Sequence, residues 1–280
     1  MKIGDAEFER FRLFMDGEHE KSRKIEVRRI LADARSRLSV ADGSIDAIAV
    51  ATDGKLAALD MPFKVTKTFL PSAQLRTQLR LASHYLFSAD QANPPGLPSF
   101  VVLRVAIECI ATAHWLMSGD GHRDGVERVL KRMWWDSQSA AEMATVVDGD
   151  PDQSALGDLR SRIIQITASI KRLDSEIILD SRRERLSKMV ENASRDLHPD
   201  QPSIMHATWM LCAGVSHGNI AISAGAGLSA ALIQEPAKHL IDEAMYAQVL
   251  SAAVDDLEAA VEAFRAFAAQ QHSHQRPDSA

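Results

Sequence analysis

Cysteine is nearly absent: the 280 residues hold two, Cys109 and Cys212. Neither belongs to a CxxC motif or a Cys/His cluster, which excludes a zinc knuckle and a thioredoxin-type redox site. Each sits in an apolar helical run, where a small buried thiol is the simplest reading. Aromatic residues make up only 5% of the chain, and Asn219 to Ser223 alone hints at period-2 alternation, so a sheet fold is not expected. Long hydrophobic runs are missing as well. Ser99 to Met117 contains Arg104, Glu108 and His114, which is costly against lipid. Ile220 to Ile233 is free of charge but too short to cross a bilayer. Met1 to Glu20 has no apolar core of the signal-peptide kind, so the expected location is the cytoplasm, with no membrane contact. Basic charge is not in excess either. A net charge of −6 and a pI near 5.9 disfavour a general nucleic-acid coat while leaving room for a local basic patch.

What the chain has is alanine, 41 residues of it, and alanine is the best helix former. The expected fold class is all-α, a multi-helix bundle of about eight helices. Residues 5 to 39 read as one or two helices broken near Gly17. Asp42-Gly43 and Asp53-Gly54 read as turns around a weak segment. Pro71 suits the first turn of a helix reaching about Asp90. After the Asn93–Pro98 breaker, Ser99 to Met117 is apolar all round and therefore central to the core. Helices follow over 122–147, 152–179, 181–196 and 202–219, then a small-residue segment over 220–235 and a long helix from about Pro236 to Gln270. The expected organisation is an N-terminal helical extension over 1–60, a helical core domain over 61–270 and a disordered tail over 271–280. No internal repeat is present.

Several motifs dissolve when their geometry is required. Gly225-Ala226-Gly227-Leu228-Ser229-Ala230 matches a dinucleotide fingerprint in letters, but no strand precedes it and Pro236 stops any long helix after it. Asp255, Glu258 and Glu262 share one helix face and read as a solvated acidic edge. His206 and His217 share a face, yet eleven residues put them about 16 Å apart, too far for one ion. No metal and no cofactor are expected.

Two pieces carry more. Arg104 and Glu108 lie four apart in the apolar helix, with Trp115 on the same stripe, and charges in such a helix must find partners. Glu127, Arg128 and Arg132 on the next helix are the candidates, either as internal glue or as the wall of a polar pocket with Trp115 or Trp134. Further on, Ser216-His217-Gly218-Asn219 closes an apolar helix and places an imidazole at its C-terminus. Between Lys21 and Arg37, seven basic residues stand against Glu26 and Asp33, which suits a solvated face or a contact with phosphate or a partner.

Together these pieces resemble the HEPN-like helical families over about residues 75 to 220. The similar pattern is Arg104-x-x-x-Glu108, an aromatic after it, a following helix with Arg128 and Arg132, and a late helix ending in Ser216-His217. HEPN ribonucleases carry an Arg-x(4–6)-His motif on that late helix, meeting its symmetry mate across a dimer cleft. In this chain the arginine slot falls on Met210, Leu211 or Cys212, so of that motif only His217 remains. The resemblance implies a homodimeric α-helical module of a kind often linked to toxin, defence or stress functions.

Three readings follow. The leading one is a non-catalytic module that binds RNA, a nucleotide or a protein partner through Arg104, Glu108, Trp115, Arg128 and Arg132. The second is a metal-independent ribonuclease using His217 and Ser216, with Arg104 or Arg132 replacing the missing arginine. The third is a structural or small-molecule-binding helical protein in which Arg104 and Glu108 are internal glue.

Overall fold

A computed structural model describes residues 20–92, 97–148, 153–217 and 243–271. Within them the chain is all-α: ten helices take 82% of the described residues, and no strand is present among these. The helices are α1 (Glu20–Ala47), α2 (Lys55–Val65), α3 (Pro71–Asp90), α4 (Leu97–Met117) and α5 (His122–Asp148). They continue as α6 (Gln153–Ala168), α7 (Ser175–Leu179), α8 (Leu186–Leu197), α9 (Ile204–Ser216) and α10 (Glu243–Ala269).

The core forms around α4, which packs against α3, α5, α8, α9 and α10. Phe100, Leu103, Ile107 and Ile110 are fully buried on it, matching its nearly all-round apolar pattern. It is long and apolar enough to span a membrane, but 67% of the apolar window is buried by the other helices, as in the core helix of a globular bundle. The long α10 supplies the opposite wall through Leu250, Val254, Leu257, Val261 and Phe264.

Of the N-terminal helical extension expected over 1–60, the described part from Glu20 packs on this core. Ala34, Leu38, Ala41 and Ile45 of α1 belong to the same buried cluster as α3, α4 and α10. The turn expected at Asp42-Gly43 is helix instead, because α1 continues to Ala47. Asp42 has a better use than a turn. Burial pushes its carboxyl up, but bonds from Arg80 and Ser83 overcome this and hold it below the usual range. Gly54 is where the chain does turn: a Cβ there would sit 3.1–3.2 Å from the carbonyls of Ala51 and Ala268, and Gln271 bridges to it.

The single helix expected over 152–179 is two. The apolar period runs on through Ile170 and Leu173, but α6 stops at Ala168. Arg172 adopts a left-handed φ of 64°, and the Asp174 carboxylate caps a new helix by accepting from the Glu176 N–H at 2.9 Å. The helices expected over 181–196 and 202–219 are shorter, Leu186–Leu197 and Ile204–Ser216. The apolar face of Phe8 to Met15, the Gly225 string, the run 220–233 and His272 and His274 lie outside the described residues.

Candidate functional site

The polar residues of α4 find their partners on α9. Four residues of helix bring Arg104 and Glu108 together, and the Arg104 Nε donates to Glu108 Oε1 at 2.8 Å. The indole Nε1 of Trp209 donates to the same oxygen at 3.0 Å. The guanidinium also lies over the Trp209 ring, 5.6 Å from its centroid. His206 stacks on the same indole at 6.1 Å. Trp209 is buried, while the Arg104 and Glu108 side chains are 24% and 18% exposed, so the cluster sits at the rim of the core.

The helix end adds the imidazole. α9 stops at Ser216, and His217 is its C-cap, with its N–H donating to the Ala213 carbonyl. Arg104 Nη1 lies 2.9 Å from His217 Nε2. A guanidinium has only donors, so this contact requires a neutral ring with its proton on Nδ1. His217 is exposed, and it carries the Arg104 edge out to solvent. Ser216 does not join it. Its hydroxyl donates back to the Cys212 carbonyl at 2.6 Å, a local helix bond.

The expected five-residue pocket is divided among three places. Arg104 and Glu108 form the cluster just described. Arg128 instead donates to the Trp115 carbonyl at 2.8 Å and to Ser118 Oγ at 2.6 Å, tying α5 to the end of α4. Its guanidinium covers the Trp115 ring, and Trp115 stacks on Trp135 at 5.6 Å. These groups line a polar hollow of about 370 Å³ with Arg123, Glu127 and Lys131. Arg132 faces a third place, pairing with Asp136 at 2.7 Å beside a crevice of about 550 Å³ between α3, α5 and α6. The α5 residues expected to partner Arg104 and Glu108 therefore have other bonds.

Sequence reasoning missed two residues. Trp209 was legible as part of the α9 run, but only the fold shows that its N–H anchors Glu108. Asp256 was passed over beside the acidic edge of Asp255, Glu258 and Glu262, yet it is 1% exposed and bonds His198 Nε2 at 2.7 Å. Its position carried a signal: Ala253, Asp256, Leu257 and Ala260 follow the buried stripe of α10. Burial pushes the Asp256 carboxyl up to about 6, and the carboxylate in turn raises the His198 imidazole. The acidic edge itself is less solvated than expected, because Arg37 of α1 binds both Asp255 and Glu258.

The basic run on α1 is similarly committed in part. Arg29 pairs with Glu26, Arg35 with Asp90, and Arg37 with Asp33 as well as α10. Burial raises both thiols, Cys109 and Cys212, to about 12, which makes them poor nucleophiles. Among the described residues no three His, Cys, Asp or Glu side chains converge as metal ligands. No family model, curated protein or solved structure matches the chain.

Proposed function

We propose that this protein is a non-catalytic, HEPN-like helical module that binds RNA, with a backbone phosphate held at the Arg104–His217 edge. The observation that supports the reading is the contact itself: an arginine fixed by Glu108 and Trp209 delivers its guanidinium to an exposed imidazole at a helix end. Arg104 has five N–H donors, of which these contacts use two, and a guanidinium matches the geometry of phosphate. Glu108 and Trp209 preset the side chain, so little rotamer freedom is lost when an anion arrives.

Binding is favoured over cleavage by a count of proton carriers. Breaking an RNA strand by acid–base chemistry calls for one group to take the 2′-hydroxyl proton and another to protonate the leaving oxygen. At the Arg104 guanidinium the cluster brings one imidazole, His217, whose Nε2 lone pair faces the cation, and a carboxylate occupied by two donors, while the His206 ring stacks on Trp209 instead. The single-stranded RNA affinity of His217→Ala and Arg104→Lys tests the reading. Both should bind more weakly, Arg104→Lys because it loses the forked donor geometry. Unchanged affinity in both, with Glu108→Gln melting lower, would instead support a purely structural cluster.

The second reading, a metal-independent ribonuclease, draws on the same contact, since Arg104 stands beside His217 where a cation could stabilise a phosphate under attack. Incubation of wild type and His217→Ala with total RNA in chelator separates the two. Cleavage by the wild type alone would replace the binding module with the enzyme.

A further inference from the structure

The crevice between α3, α5 and α6 encloses about 550 Å³, a size typical of small-molecule sites. Its lining carries two arginines and two carboxylates, Arg132, Asp136, Asp158 and Arg162, so its formal charge is zero. These charges are not equally committed. Arg132 and Asp136 pair with each other on α5. Asp158 and Arg162 lie one turn apart on α6, about 6 Å along its axis, yet they do not pair. Arg162 instead donates from Nη1 to the Lys67 carbonyl at 3.0 Å, which leaves four of its five N–H bonds for another partner. Asp158 is exposed, and no described residue bonds to it. One helix face therefore sets an open carboxylate beside an arginine with donors to spare.

The α3 wall adds a buried amide. Gln74 is 7% exposed, and its Nε2 donates to the Phe69 carbonyl at 3.3 Å. Its Oε1 has no partner among the described residues, although the side chain lines the crevice. An acceptor left open on so deeply set a side chain points to a ligand. Phe69, Met133 and Leu159 give the crevice an apolar surface, and Phe69 is 52% exposed on it.

We infer that this crevice binds a free α-amino acid with an apolar side chain. Arg162 takes the carboxylate in a forked contact, and Asp158 and the Gln74 Oε1 accept from the ammonium. The ligand side chain lies on Phe69, Met133 and Leu159. A zwitterion suits a site whose charges sum to zero but stand apart. A phosphate or a polyamine would meet one matching group and one opposed to it. The crevice shares no residue with the Arg104–His217 edge, so the inference holds whether or not that edge binds RNA.

Calorimetric titration with L-leucine, L-methionine and L-phenylalanine tests the inference. At least one should bind. The same side chain presented without its ammonium, as the deaminated acid, or without its carboxylate, as the amino amide, should bind about tenfold more weakly or worse. Asp158→Asn should lose about tenfold or more in affinity at unchanged circular dichroism, because this exposed carboxylate supports nothing in the fold. No binding by any of the three amino acids overturns the inference. So does equal affinity for the acid or the amide, or an Asp158→Asn protein that binds as tightly as the wild type.

Discussion

His198 and His217 stand on either side of α9, one just before it and one just after, and they meet opposite partners. His198 is held by a buried carboxylate, Asp256, which raises its affinity for a proton. His217 is held by a guanidinium, which keeps its Nε2 lone pair as an acceptor. The same ring therefore serves two ends. At His198 a half-buried imidazole joins the α8–α9 turn to the buried Asp256 of α10. At His217 it extends an arginine toward solvent. The partner charge and the depth, not the residue type, separate a structural joint from a candidate binding edge.

The largest effect should come from removing what anchors the second of these. Glu108→Ala strips Arg104 of its ion pair and leaves the buried Trp209 N–H without an acceptor. Loss of a rim-buried charge partner and an orphaned donor together should cost about 3 kcal/mol, read as a lower denaturation midpoint in urea. Stability equal to wild type would mean that the cluster does not lock α4 to α9.

Next comes the pH response of the buried joint. Asp256 rises from 3.8 to about 6, so it binds its proton more tightly folded than unfolded. Its contribution is full below about 3.8 and fades as pH climbs through 6. His198 is also raised, so its contribution is full below 6.5 and is lost as pH passes above its folded value. Both signs agree. Wild type should gain on Asp256→Asn, by on the order of 2 kcal/mol, as pH falls from 8 toward 5. Melting curves of the two proteins across that range check it, and parallel curves would dissolve the comparison.

These two regions also show what a sequence conveys. The helices of the core were legible because burial leaves a period: Leu250, Val254, Leu257, Val261 and Phe264 recur as the inner face of α10 demands. Arg104, Glu108 and His217 were each legible as charges or imidazoles in apolar helices that need a partner. Their meeting was not, because 109 residues separate Glu108 from His217 and helix pairing is decided by packing. Local spacing pointed to the next helix, α5, whereas α9 is the neighbour that supplies Trp209. The break at Ala168 was hidden for the converse reason: Ile170 and Leu173 pack on the core from a turn and so keep the apolar period going without the helix.

A smaller effect separates the buried joint from its surface neighbours. Arg37 bridges α1 to Asp255 and Glu258, one residue before and two after Asp256. Its side chain is 27% exposed and the carboxylates more so, and solvent screening therefore limits the loss in Arg37→Ala to roughly 1 kcal/mol or less. The loss should shrink in high salt, whereas the Asp256→Asn difference should hold.

The smallest change in stability should come from His217→Ala, and that is what makes it informative. The ring is exposed, it caps α9 through its backbone N–H, and alanine keeps that N–H. Arg104 retains Glu108 and the Trp209 face, so the guanidinium stays in place without its imidazole. Unfolding free energy should then stay within about 0.5 kcal/mol of wild type. A residue whose removal leaves the fold untouched and still weakens RNA binding contributes to recognition directly. If His217→Ala proved as destabilising as Glu108→Ala, the two histidines would play the same structural part, and the distinction drawn between the two sides of α9 would fail.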